Sequence, residues 1–102
     1  MFVYEQEINN INDQIREQFS PEAVILFGSC AKGAVTRKSD IDLCVIVKTN
    51  NKRELMTEML LNLEYERDLD IVIYTPEEWA KYHQKPGTFA QIIFSTGVKL
   101  LG

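Results

Sequence analysis

Several features that would mark a function outright are missing from this chain. Of its 102 residues only two are cysteine and one is histidine. Cys30 and Cys44 form no C-x-x-C pair, and with a single His they supply neither a zinc site nor a disulfide framework, so reduced thiols are expected. No apolar run approaches the roughly 20 residues that span a bilayer. The opening Met1-Phe2-Val3-Tyr4-Glu5 carries neither a basic region nor an apolar signal core. A cytoplasmic protein with no membrane partner is therefore expected. Positive charge is not in excess either: the net charge is −4. A non-specific nucleic-acid binder would show a basic face, so direct nucleic-acid binding is not expected. There is no repeat and no low-complexity segment. What is present, 45% hydrophobic and 25% charged residues, is ordinary globular composition, and the length allows one core. A single domain over residues 1–102 follows.

Glycine is scarce, five in all, and two of the five stand close together in Phe27-Gly28-Ser29-Cys30-Ala31-Lys32-Gly33. An apolar, β-branched run over residues 23–27 leads into this stretch and reads as a strand. Soon after comes Ser39-Asp40-Ile41-Asp42-Leu43-Cys44-Val45-Ile46-Val47, a second apolar strand that opens with two carboxylates. Successive strand side chains point to opposite faces, so Asp40 and Asp42 share one face with Cα atoms roughly 6–7 Å apart. Carboxylates at that spacing can converge on hard divalent cations held about 3.5–4 Å apart. The Gly28-Ser29 turn offers backbone N–H groups, a hydroxyl and, where a helix starts, a positive dipole end. These are phosphate-binding groups. A phosphate cradle beside metal-binding carboxylates points to phosphoryl or nucleotidyl chemistry. Crowded carboxylates also raise one another's pKa until a cation relieves them, so the acidic balance suits a metal site.

Two better-known glycine motifs are excluded. A Walker loop needs G-x-x-x-x-G-K-[ST], and Gly33 is followed by Ala34-Val35. The dinucleotide fingerprint needs G-x-G-x-x-G, and position 30 is cysteine. The stretch instead resembles the G-S-x-x-x-G … S-D-x-D-L signature of the nucleotidyltransferase superfamily that includes DNA polymerase beta. Within it, the minimal nucleotidyltransferase (MNT) branch is the nearest in pattern. Gly28, Ser29, Gly33, Ser39, Asp40, Asp42 and Leu43 carry the resemblance.

The rest of the chain supplies a frame for this stretch. Ile8, Ile11, Ile15 and Phe19, three and four apart, predict an amphipathic helix over residues 3–19, ended by Ser20-Pro21. A short helix is expected at about 31–33. The second strand is apolar on both faces past its carboxylates, so it should be central and covered by helices on both sides. Thr49-Asn50-Asn51 starts a second helix, expected over 52–66 on Leu55, Met56, Met59, Leu60 and Leu63. Leu69-Asp70-Ile71-Val72-Ile73-Tyr74 reads as a third strand. Asp70 is preferred as the third carboxylate because it is embedded in the apolar run. Asp68, two residues earlier on the same face, is the rival at the strand entrance. Thr75-Pro76-Glu77-Glu78 starts a helix to about Tyr82. A further short helix is expected over 88–95, capped by Gly97, with an edge strand at 98–101. The fold expected is α/β: a small mixed sheet with flanking helices, mainly on one side, the core of a nucleotidyltransferase.

The remaining polar and aromatic residues read more plainly. His83 is expected to cap a helix, Trp79 and Tyr82 to pack in the core, and Cys44 to be a small buried hydrophobe. Lys32, Arg37 and Lys38 suit either phosphate steering or a solvated basic loop. Cys30 departs from the family's pattern, where an arginine is common, and so removes a phosphate contact that relatives have.

The resemblance implies transfer of a nucleoside monophosphate, AMP from ATP, to a hydroxyl with release of pyrophosphate. Gly28 and Ser29, with Lys32, Gly33 and Ser39 beside them, would hold the phosphates. Asp40, Asp42 and Asp70 would ligate two Mg²⁺ ions, or Mn²⁺, and Asp70 would take the acceptor's proton. The chain is expected to borrow its acceptor surface from a partner or its own oligomer. In MNT-type pairs that partner is a HEPN-domain toxin, for which the nucleotidyltransferase is the antitoxin. The other reading is a binding module that neutralises a partner by contact without turnover.

Overall fold

A computed structural model describes residues 4–33 and 40–102. Among these residues nine elements follow one another: α1 (Glu5–Phe19), β1 (Ala23–Phe27), α2 (Gly28–Lys32), β2 (Ile41–Ile46), α3 (Lys52–Asn62), β3 (Leu69–Tyr74), α4 (Pro76–Tyr82), α5 (Phe89–Thr96) and β4 (Val98–Leu101). The four strands form one sheet in the order β3-β2-β1-β4. β1 runs antiparallel to both β2 and β4, whereas β2 and β3 are parallel, joined through α3. This is the small mixed sheet expected for a nucleotidyltransferase core.

Strand alternation divides the sheet into two faces. On the first, Val24 and Leu26, Ile41, Leu43 and Val45, and Leu69, Ile71 and Ile73 meet Ile8, Ile11 and Ile15 of α1 and Met59 of α3. The three isoleucines of α1 are fully buried, and each contributes about 1.5–3 kcal/mol over its exposed state. On the second face Ile25, Cys44 and Ile46 meet Ile93 of α5, with Phe27, Tyr74 and Trp79 packed around them. Helices therefore cover both faces, rather than mainly one. The second layer is thinner because α4 and α5 have only seven and eight residues.

The caps were legible in the sequence. Asn51 accepts a hydrogen bond from the Glu54 N–H, and Thr75 with Glu78 forms a reciprocal capping box behind Pro76. Two boundaries differ from expectation by three residues or more. α2 takes in Gly28 and Ser29 instead of starting at residue 31. α3 ends at Asn62, four residues early, because Leu63 turns extended and buries its side chain in the first-face core. The chain after it is then fastened to α1. The Gln14 side chain exchanges two hydrogen bonds with the Glu64 backbone, at 2.8 and 2.9 Å. One Glu7 carboxylate oxygen accepts from the Glu66 and Arg67 N–H groups, at 2.8 and 2.9 Å. Continued helix would have denied those backbone groups to α1. The fastened turn delivers β3, and with it Asp70, to the edge where the carboxylates gather. Gly97 is required for space more than for a turn: a Cβ there would meet the Ile93 carbonyl at 2.6 Å and the Leu26 carbonyl at 3.0 Å.

Candidate active site

Three side chains form a lateral row across the second face of the sheet. Phe27 is the register partner of Asp42 across the antiparallel pair, and Asp42 is the partner of Asp70 across the parallel pair. Neighbouring strands lie about 4.8 Å apart, so the row Phe27–Asp42–Asp70 is contiguous. Asp70 is exposed and Asp42 half-buried. Asp68 precedes β3, and its carbonyl accepts from the Ile41 N–H at 2.9 Å. Asp40, half-buried, precedes β2.

The electrostatics of this row are unfavourable. Burial, then the charges of Asp70 and Asp40, then a hydrogen bond with the Asp70 carboxyl, push the Asp42 carboxyl up to about 6. A hydrogen bond between two carboxyl groups needs a proton between them, so near neutral pH the pair is frustrated. A hard cation shared by the two would take the place of that proton, and an all-oxygen donor set suits one. The donor chemistry therefore fits Mg²⁺ or Mn²⁺. Among the described residues, though, no group of three or more His, Cys, Asp or Glu side chains stands close enough together to hold a metal ion as placed.

Gly28 adjoins this row. Its φ of +74° lies in the left-handed region that favours glycine, and a Cβ would run into the Asp42 carboxylate, whose Cγ would lie only 3.2 Å away. The missing side chain lets Asp42 rest against the first residue of α2. Ser29 follows, half-buried. Lys32 is exposed in the last turn, and Gly33 ends α2 in a left-handed conformation, its N–H donating to the Ser29 carbonyl. Ser39, Arg37 and Lys38 lie outside the described residues. The structure thus brings together Gly28, Asp42 and Asp70, with Asp40 within electrostatic reach, and leaves Asp68 outside the row.

Cys30 requires a correction. It is fully buried in the first-face core, and its thiol donates to the Asp40 carbonyl at 3.4 Å. Burial first, and then the charge of Asp42, raise its pKa, while burial pushes the Cys44 thiol up to about 12. Its side chain is enclosed in that core, whereas Asp42 and Asp70 stand on the other face of the sheet. Its work is to tie α2 to the chain that enters β2. The period of a five-residue helix was too short to reveal this in the sequence. His83 is the C-cap of α4, with Nδ1 2.6 Å from the Trp79 carbonyl, so the tautomer protonated there donates to it. Trp79 packs on Tyr74, His83 and Phe94 with ring centroids 5.4, 5.6 and 6.3 Å away.

Sequence reasoning passed over a solvent-open cleft of about 1380 Å³ beside the carboxylates. Tyr4, Glu7, Asp40, Arg67 and Asp68 line part of it. Arg67 lies over the Tyr4 ring, 3.4 Å from its centroid, and pairs with Glu7 at 3.8 Å. Neither Asp42 nor Asp70 is among the cleft's described lining residues; Asp40, whose charge acts on Asp42, is. Its walls come from α1 and the 64–68 turn, residues distant in sequence with no pattern linking them.

The comparisons with known proteins bear on this geometry. The family model for "Polymerase beta, Nucleotidyltransferase" matches residues 9–102, which includes the whole sheet and both ends of the row. The chain belongs to this family. A comparison with curated proteins gives no match. Membership supports a nucleotidyltransferase role for the domain and accounts for a Gly-Ser turn set against two strand carboxylates. No helix among the described residues is long and apolar enough to cross a membrane.

Proposed function

We propose that this nucleotidyltransferase moves a nucleoside monophosphate, AMP from ATP, onto a hydroxyl of a partner protein. The observation that carries the reading is the facing pair Asp42 and Asp70, set against Gly28 where α2 begins. In the reaction the acceptor oxygen bonds to the α-phosphorus, the bond to the bridging oxygen breaks, and pyrophosphate departs with that bond's electrons. The acceptor's proton passes to Asp70, the exposed member of the pair. The Gly28–Ser29 backbone and Lys32 hold the departing phosphates, and Asp42, resting against Gly28, is set where it would hold a cation beside them. Mg²⁺ or Mn²⁺, held by Asp40, Asp42 and Asp70, would supply charge neutralisation between triphosphate and carboxylates.

The partner follows from the resemblance of residues 27–47 and 69–74 to MNT proteins. A HEPN-domain toxin is the acceptor, and this chain is its antitoxin, working in the cytoplasm alone or as a homo-oligomer. Incubating the protein with α-labelled ATP, Mg²⁺ and its co-purifying partner tests this. The expected result is label on the partner and stoichiometric pyrophosphate. An unlabelled partner that is nonetheless neutralised would replace transfer with simple binding.

A further inference from the structure

We propose that Phe89, backed by Phe27, is the platform on which the base of the nucleotide stacks; this rests on the nucleotidyltransferase reading above. Phe27 is the next member of the row after Asp42, on the side away from Asp70. Its ring meets that of Phe89 edge to face, centroids 5.6 Å apart and planes at 85°. Phe89 is 49% exposed. Exposed apolar side chains are common and by themselves carry no meaning. What distinguishes Phe89 is its place beside the carboxylate row.

The other second-face rings are engaged with one another: Trp79 with Tyr74, His83 and Phe94, and His83 with Phe94 at 4.7 Å. Among the described residues the Phe89 ring meets one other ring, that of Phe27, and its exposure leaves part of its surface open to a ligand. The platform is also held firmly. Phe89 is the first residue of α5, and its N-cap Thr88 accepts from the Gln91 N–H while its hydroxyl lies 2.9 Å from the Tyr82 carbonyl and 2.8 Å from that of Lys85. With the α-phosphate at Asp42 and Asp70, the ribose bridges to a base over a ring one side chain away. Every base offers a π-face, so stacking of this kind discriminates weakly among nucleotides. ATP and GTP should bind with similar affinity.

The test compares ATP with inorganic tripolyphosphate, each with Mg²⁺, by titration calorimetry on wild type, Phe89→Ala and Phe89→Tyr. Phe89→Ala should weaken ATP roughly tenfold and leave tripolyphosphate unchanged, while Phe89→Tyr keeps both. Equal losses for both ligands would mean that Phe89 only props Phe27 and Gly28, and would overturn the platform. So would unchanged ATP binding, including the case where Phe89→Ala alters only sedimentation because the ring covers a second copy. Those outcomes leave the nucleotidyltransferase reading standing. A wild-type protein that does not bind ATP, whether or not it binds tripolyphosphate, overturns both.

Discussion

On one side of β2 stand Ile41, Leu43 and Val45, all fully buried under α1 and α3; on the other stand Asp42, Cys44 and Ile46. The two faces share one backbone and differ in what lies over them. A 15-residue and an 11-residue helix close the first face, while the 7- and 8-residue α4 and α5 cover the second. Where the second cover stops, the row of Phe27, Asp42 and Asp70 is left at a half-open edge. A tightly packed face holds the strands in register, so the other can tolerate carboxylates whose mutual repulsion opposes folding. The difference locates stability on one face and chemistry on the other.

Placing a charge on the packed face should break that division most severely. Cys30→Arg forces a large guanidinium into a fully buried position of α2. Asp42, Asp40 and Glu7 lie within electrostatic reach, but overpacking and desolvation of the charge should still cost about 3 kcal/mol or more. The variant should melt far below wild type or fail to fold, with Cys30→Ser far milder. A stable Cys30→Arg protein that binds ATP more tightly would put residue 30 on the phosphate side.

The second expected effect is catalytic and separates the row from its surroundings. Asp70→Asn should slow transfer by roughly a hundredfold, a barrier increase of about 3 kcal/mol, while Asp68→Asn stays within a few-fold of wild type. Single-turnover rates with labelled ATP decide between them. The reverse ranking would mean that the reacting edge runs through the cleft that Asp68 lines rather than through the row.

Much of this was legible in the residues. Alternation alone assigned Ile41, Leu43 and Val45 to one face and Asp42 to the other, and Asn51, Thr75 and Pro76 announced their helices. Side-chain direction inside α2 was not legible, because five residues are too few for a helical period, and Cys30 was read as facing the site. Nor was the end of α3, since Leu63 fits a helical stripe and leaves it only because α1 supplies Gln14 and Glu7 to the turn beyond. Phe89 was read as part of a short apolar helix. Its nearness to Asp42 arises from the fold, which sets α5 over β1 across sixty residues of chain.

If the carboxylate row is a cation and triphosphate site, its pH and metal response shows it most directly. Asp42 holds its proton up to about pH 6 when folded and releases it near its ordinary value of 3.8 when unfolded. The folded state therefore binds the extra proton between those values, and stability falls as pH rises from about 4 to about 6 before levelling. The effect is damped because Asp42 is only partly buried. Asp42→Asn should lack that slope and, near neutral pH with chelator present, melt at or above wild type. Mg²⁺ should then raise the wild-type melting temperature, further with ATP, by mass action on the folded state. Asp42→Asn should lose most of that response. Equal stabilisation of the two proteins by Mg²⁺ would contradict the assignment of Asp42 and, with it, the site.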